Sequence, residues 1–138
     1  MVFTDVPEDV EEEFNRWYDE EHIPERLSIP GVLSAARYTA LEGGPKHLAC
    51  YELNEPEAWE SDAWQHYLIN PTEWSKRMSP SVVGDTYIRN LYRLIYPDPV
   101  CEETAQAGMS PLLLVGRMSV PPALESQFNH VYNTERLP

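Results

Sequence analysis

Two hydrophobic periods alternate along the chain. Val10, Phe14, Trp17 and Glu21 fall at about 0, 40, −20 and 20° on a helix turning ~100° per residue, so a carboxylate sits inside the apolar stripe. Pro7 and the acidic run behind it suit a helix start, and Pro24 suits its end. MVFT before the helix reads as the tail of a strand, and Pro30-Gly31 after it as a turn. Residues 32–40 and 46–53 carry period-two patterns joined by Glu42-Gly43-Gly44-Pro45, which predicts an antiparallel pair. On the second of these strands His47, Ala49 and Tyr51 share one face. Asn54 is a helix N-cap residue with Pro56 behind it, and opens a helical segment carrying Trp59, Trp64 and Tyr67. Asn70-Pro71 interrupts that segment, a further short helix carries Trp74 and Met78, and residues 86–96 alternate as a last strand. The predicted order for 1–96 is β-α-β-β-α-β: an α+β, ferredoxin-like unit whose helices cover one face of an antiparallel sheet. Residues 97–110 are polar with two prolines and read as a linker, and residues 111–138 as a new strand, 112–118, followed by a helix.

The same signal occurs twice. A shift of 114 residues aligns FNRWYDEEHIP, from Phe14, with FNHVYNTERLP, from Phe128. Phe14, Asn15, Tyr18, Glu21 and Pro24 recur as Phe128, Asn129, Tyr132, Glu135 and Pro138, and a Val-Pro pair precedes each copy. The pattern predicts one complete unit and the first strand and helix of a second, incomplete repeat.

Composition narrows the partners. The 138 residues carry a formal charge of −13, from 10 basic and 23 acidic side chains. Residues 1–30 hold ten of those acids against Arg16 and Arg26. Nucleic acid and anionic membranes reward the opposite balance and are not expected as partners. No apolar run approaches the ~18 residues of a membrane-spanning helix. Cys50 and Cys101 form neither a disulfide framework nor a zinc site, and the expected location is cytoplasmic.

Chemistry concentrates on the first helix. Tyr18 and His22 stand four residues apart and meet on its flank. A carboxylate facing a core, as Glu21 does, must be paired, hydrogen-bonded or protonated. One reading makes Glu21 a packing contact that accepts hydrogen bonds from a loop or from a strand arginine such as Arg37, and the other gives it a part in chemistry. His22 does not recur, since Arg136 replaces it, and at a pocket mouth it could move a proton near neutral pH. Trp17, Arg37, Tyr38, His47 and Tyr51 complete the candidate pocket, although Arg37 and Tyr38 point to opposite faces of their strand. His66 reads as surface, and Trp59, Trp64 and Trp74 as core or interface. No metal-ligand spacing, nucleotide-binding glycine motif or nucleophile elbow occurs, so no metal or other cofactor is expected.

The run from Phe14 to Tyr38, with Trp17-Tyr18, Glu21-His22, Pro24 and Pro30-Gly31, resembles the dimeric α/β-barrel superfamily, and within it the EthD-like proteins of tandem-repeat type. The resemblance implies that the sheet packs on another sheet to form a barrel, by self-association or by pairing of repeats within one chain. It also implies a small-molecule ligand. The superfamily spans cofactor-free oxygenases, isomerases, cyclases and haem-handling proteins, so fold alone does not choose a reaction. The expected function is acid–base chemistry on an aromatic or polyketide-like molecule, with His22, Tyr18 and Glu21 catalytic. Trp17, Arg37, Tyr38, His47 and Tyr51 would bind the substrate. The alternative is a non-catalytic small-ligand, haem-binding or assembly module, with His22, His47, His66 or His130 as axial ligand.

Overall fold

The computed structural model describes residues 1–97 and 108–136, in two compact units, Met1–Tyr92 and residues 93–138. The first unit is α+β. Strand β1 (Val2–Asp5) leads into α1 (Glu11–Trp17), which continues through a π turn (Tyr18–His22) into α2 (Ile23–Leu27). Strands β2 (Val32–Thr39) and β3 (His47–Leu53) follow as a hairpin. A 3-10 turn (Pro56–Glu60), α3 (Asp62–Ile69), α4 (Glu73–Met78) and α5 (Pro80–Val83) return the chain to β4 (Thr86–Arg89). The four strands form one antiparallel sheet in the order β2-β3-β1-β4.

Local chemistry sets the boundaries. Gly31 turns the chain at φ +91°, and a Cβ there would stand 2.7 Å from Asn54 Oδ1, so only glycine fits. Asn54 does not cap a helix: Pro56 opens a separate 3-10 turn first, and Ser61 caps α3 by accepting from the Trp64 amide at 3.2 Å. Thr72 caps α4 in the same way. Strand β4 is shorter than the 86–96 expected. Its ladder follows β1, which supplies partners only for Thr86 to Arg89.

Phe14, Trp17 and Tyr18 form the core with Ala49 and Met78, and Tyr51, Trp74 and Val83 pack around them. Phe14 and Trp17 have no exposed surface. The helices cover the sheet face carrying His47, Ala49 and Tyr51, as the alternation predicts. The other face carries Phe3, Tyr38, Leu48, Cys50 and Ile88.

The second unit contains a 3-10 turn (Pro122–Leu124), α6 (Glu125–Val131) and a π turn (Tyr132–Arg136). Each boundary of α6 and its π turn lies 114 residues beyond those of α1 and its π turn. The preceding residues match in conformation, Val10 at φ −108°, ψ −6° and Leu124 at φ −109°, ψ −3°. Tyr18 N–H reaches the carbonyls of Asn15 and Phe14, and Tyr132 N–H those of Asn129 and Phe128. The strand expected at 112–118 does not form: the residues are exposed and have no ladder partner among the described residues, and a strand without one leaves its backbone groups to solvent. Of the expected linker, residues 98–107 lie outside the described residues.

Candidate functional site

The first helix presents Tyr18, His22 and Arg26 at intervals of four, which places them along one side. The π turn lies between α1 and α2, and Ile23 N–H bonds back to the Tyr18 carbonyl five residues earlier. Such turns are frequent at functional sites. His22 is half-buried among rings, with centroids 4.5 Å from Trp17, 5.0 Å from Tyr18 and 6.3 Å from Tyr51. None of the hydrogen bonds among the described residues involves its ring nitrogens. Burial, with Arg26 and Arg37 adding positive charge nearby, lowers its pKa to about 3. The imidazole is therefore uncharged at neutral pH. Burial also pushes the Tyr18 phenol up to about 12 and holds Tyr51 well above its ordinary value. The two hydroxyls interact without reaching full hydrogen-bond geometry. The site thus offers a neutral imidazole with a free nitrogen, next to two phenols that stay protonated.

Glu21 has a different task. Its Oε1 accepts from Trp17 Nε1 at 3.0 Å, Thr72 Oγ1 at 2.6 Å and Ser75 Oγ at 2.8 Å. It locks the π turn onto the N-terminal turn of α4. Its donors are Trp17 on α1, Thr72 in the loop before α4 and Ser75 on α4, so a loop supplies one of them as the packing reading allows, and Arg37 supplies none. Arg37 faces the helices but is engaged with Asn15 Oδ1 at 2.6 Å and Asp19 Oδ1 at 2.9 Å, with its guanidinium 4.5 Å from the Tyr18 ring centroid. It pins α1 to β2. Tyr38 lies on the opposite sheet face, away from His22. His47 is buried beneath Phe14, with Nε2 3.1 Å from Glu11 Oε1. It stands four residues from Tyr51 along β3, ~13 Å at ~3.3 Å per residue, so the fold does not bring it to His22. The structure brings together Trp17, Tyr18, Glu21, His22 and Tyr51.

Two further residues complete the neighbourhood. Arg26 is 6% exposed, with its guanidinium 4.7 Å from the Trp64 ring centroid and 5.6 Å from that of Tyr67. Trp64 is 4% exposed and meets Tyr51 edge-on at 6.4 Å. Beyond Tyr51 opens a cleft of about 250 Å³, lined by Tyr51, Leu53, Trp59, Trp64, Arg89 and Asn90, with Met1, Val2 and Leu91. Tyr51 therefore belongs both to the rings around His22 and to the cleft wall. The four-residue spacing of Arg26 from His22 was the available signal for its place. Trp64 carried none, because its position depends on how α3 crosses β3.

No family model, curated protein or solved structure matches the chain. Among the described residues no three His, Cys, Asp or Glu side chains gather as a metal-binding group, and no helix is long and apolar enough to cross a membrane.

Proposed function

We propose that the chain is a small-molecule enzyme of the dimeric α/β-barrel, EthD-like type, working by acid–base chemistry on an aromatic or polyketide-like substrate without metal or nucleotide. The observation that carries this reading is His22, uncharged and without a hydrogen-bond partner among the described residues, ringed by Trp17, Tyr18 and Tyr51 beside a cleft. His22 takes a proton from an activated C–H or O–H, the Tyr18 and Tyr51 phenols donate hydrogen bonds to the oxygen that gains charge, and Glu21 holds the π turn in place. A proton on His22 is disfavoured by burial first and by the two arginines after it, so it returns quickly to product.

The strand order β2-β3-β1-β4 supports a ferredoxin-like unit. The apolar residues on the sheet face away from the helices support a second sheet packed there. The matching α-to-π transitions, 114 residues apart, support a tandem repeat.

The test is proton exchange on an enolisable aromatic ketone. 2-Tetralone in D2O should exchange its acidic protons faster with the protein than in buffer, and His22→Gln should return the rate to that of buffer while circular dichroism stays unchanged. Exchange at the buffer rate with the unmodified protein, or undiminished exchange in the variant, contradicts the reading. One observation favours a second reading, a binding module without turnover. Trp17 fills the interior beside His22 and has no exposed surface. Ligand binding with no exchange supports it.

A further inference from the structure

The cations of the first unit divide unevenly. Met1–Tyr92 contains seven Lys and Arg side chains. Five are ion-paired: Arg16 with Glu20, Arg37 with Asp19, Lys46 with Glu11, Lys76 with Glu73 and Arg77 with Glu13. Arg26 and Arg89 pair with no carboxylate among the described residues. In a chain with 23 acids against 10 bases that is a specific exception, and both exceptions stand in one place. Arg26 lies over the Trp64 ring and Arg89 over the Trp59 ring, each within 4.7 Å of the ring centroid. The two indoles are in contact, with centroids 4.6 Å apart. The result is an arginine–tryptophan–tryptophan–arginine ladder, of which Trp64, Trp59 and Arg89 line the cleft.

Hydrogen bonding points the same way. Arg26 Nη1, Trp64 Nε1 and Asn90 Nδ2 are buried donors without an acceptor. Buried polar groups are almost always satisfied, so a cluster of unmet donors marks a place where acceptors are to be supplied. Nothing in the cleft wall offers a negative charge to Arg89. The indole faces supply stacking surface, and a guanidinium matches the planar fork of a carboxylate.

We propose that the cleft binds a planar aromatic carboxylate, with the ring system on Trp59 and Trp64 and the carboxylate toward Arg89. The volume of about 250 Å³ suits a ligand of naphthoate size. This rests on the cleft being the small-molecule site proposed above and names the class of molecule it takes.

The probe is 2-naphthoate, compared with the neutral isostere 2-naphthamide, added to the full chain labelled with nitrogen-15. The four indole N–H signals report separately. Trp17 donates to Glu21 and Ser75, and Trp74 to Glu13 at 3.1 Å, so both serve as internal controls. Naphthoate should move the Trp64 signal while the Trp17 and Trp74 signals hold. Naphthamide should bind about tenfold or more weakly, the range expected when a charged hydrogen bond becomes neutral. Arg89→Gln, at an exposed position, should remove that preference without loss of the fold. Equal binding of the two probes, a Trp64 signal that stays in place at saturation, or an unchanged preference in Arg89→Gln overturns the proposal. Naphthoate binding with no exchange of 2-tetralone retires the acid–base reading and leaves the anion site standing. Exchange without naphthoate binding does the reverse.

Discussion

The helix from Glu11 to His22 and the helix from Glu125 to Arg136 share a backbone and differ in surroundings. Both open after a residue near φ −108°, both run α for seven residues, and both widen into a π turn at a tyrosine. In the first, Phe14, Trp17 and Tyr18 are buried; in the second no residue is. The shared Phe-Asn-x-x-Tyr pattern specifies local geometry, which needs only neighbours in sequence. Burial, and the chemistry that follows from it, comes from partners elsewhere: Tyr51 on β3, Thr72 and Ser75 around α4, and Trp64 on α3.

The contrast can be broken most forcefully at Trp17. Trp17→Ala should destabilise the first unit by about 3–5 kcal/mol, because it empties a fully packed site. Val131→Ala, the equivalent change, should cost less than about 1 kcal/mol. Urea unfolding followed by near-ultraviolet circular dichroism measures both, and equal losses would end the contrast.

Glu21 is the next test. Glu21→Leu leaves the Thr72 and Ser75 hydroxyls without their acceptor and Trp17 Nε1 with only Ser75 Oγ, and should cost about 2–4 kcal/mol, since bonds to charged groups are the stronger ones. Glu135→Leu should lie within ~0.5 kcal/mol of no change, because none of the hydrogen bonds or ion pairs among the described residues involves its side chain.

Protons give a third comparison. The His22 pKa is lowered from 6.5 to about 3 on folding, so between those values the unfolded chain binds more protons. The contribution of the neutral imidazole is therefore complete above about pH 6.5 and is lost as pH falls toward about 3. His22→Phe, which cannot titrate, should flatten that part of the stability profile. An unchanged acid slope in the variant would place the proton uptake elsewhere.

The smallest expected effect is at Asn15, whose Oδ1 accepts from Arg37. Asn15→Ala should cost about 1.5 kcal/mol, the low end for a hydrogen bond to a charged group, and Asn129→Ala nearly nothing. Thermal unfolding of the two variants separates them.

Much of this architecture was legible from residue patterns, for particular reasons. Phe14 and Trp17 repeat at helical spacing and are buried together, and His47, Ala49 and Tyr51 alternate and share the covered face. Such periods are local, and one sheet face or helix stripe reads out directly. The site was legible only where one element carries it. Tyr18, Glu21 and His22 sit on a single helix and were found, whereas Arg26 and Trp64 meet across 38 residues of sequence. Arg37 and His47 carried suitable chemistry in the right sheet, yet Asn15 and Asp19 claim the first, and the second lies toward the other end of β3. Ile88 and Leu94 belong to one alternating run, but β1 is too short to pair beyond Arg89, and pattern alone cannot report the length of a partner strand. The same lack of a partner undid the strand read at 112–118.

The most direct measurement is a titration of the His22 imidazole by nitrogen-15 NMR in the full chain. A ring held neutral by burial and by Arg26 and Arg37 keeps its neutral chemical shifts as pH falls through 6.5, and begins to protonate only toward about 3. A midpoint near 6.5, the ordinary value for a histidine in water, would show that His22 is not enclosed by those rings.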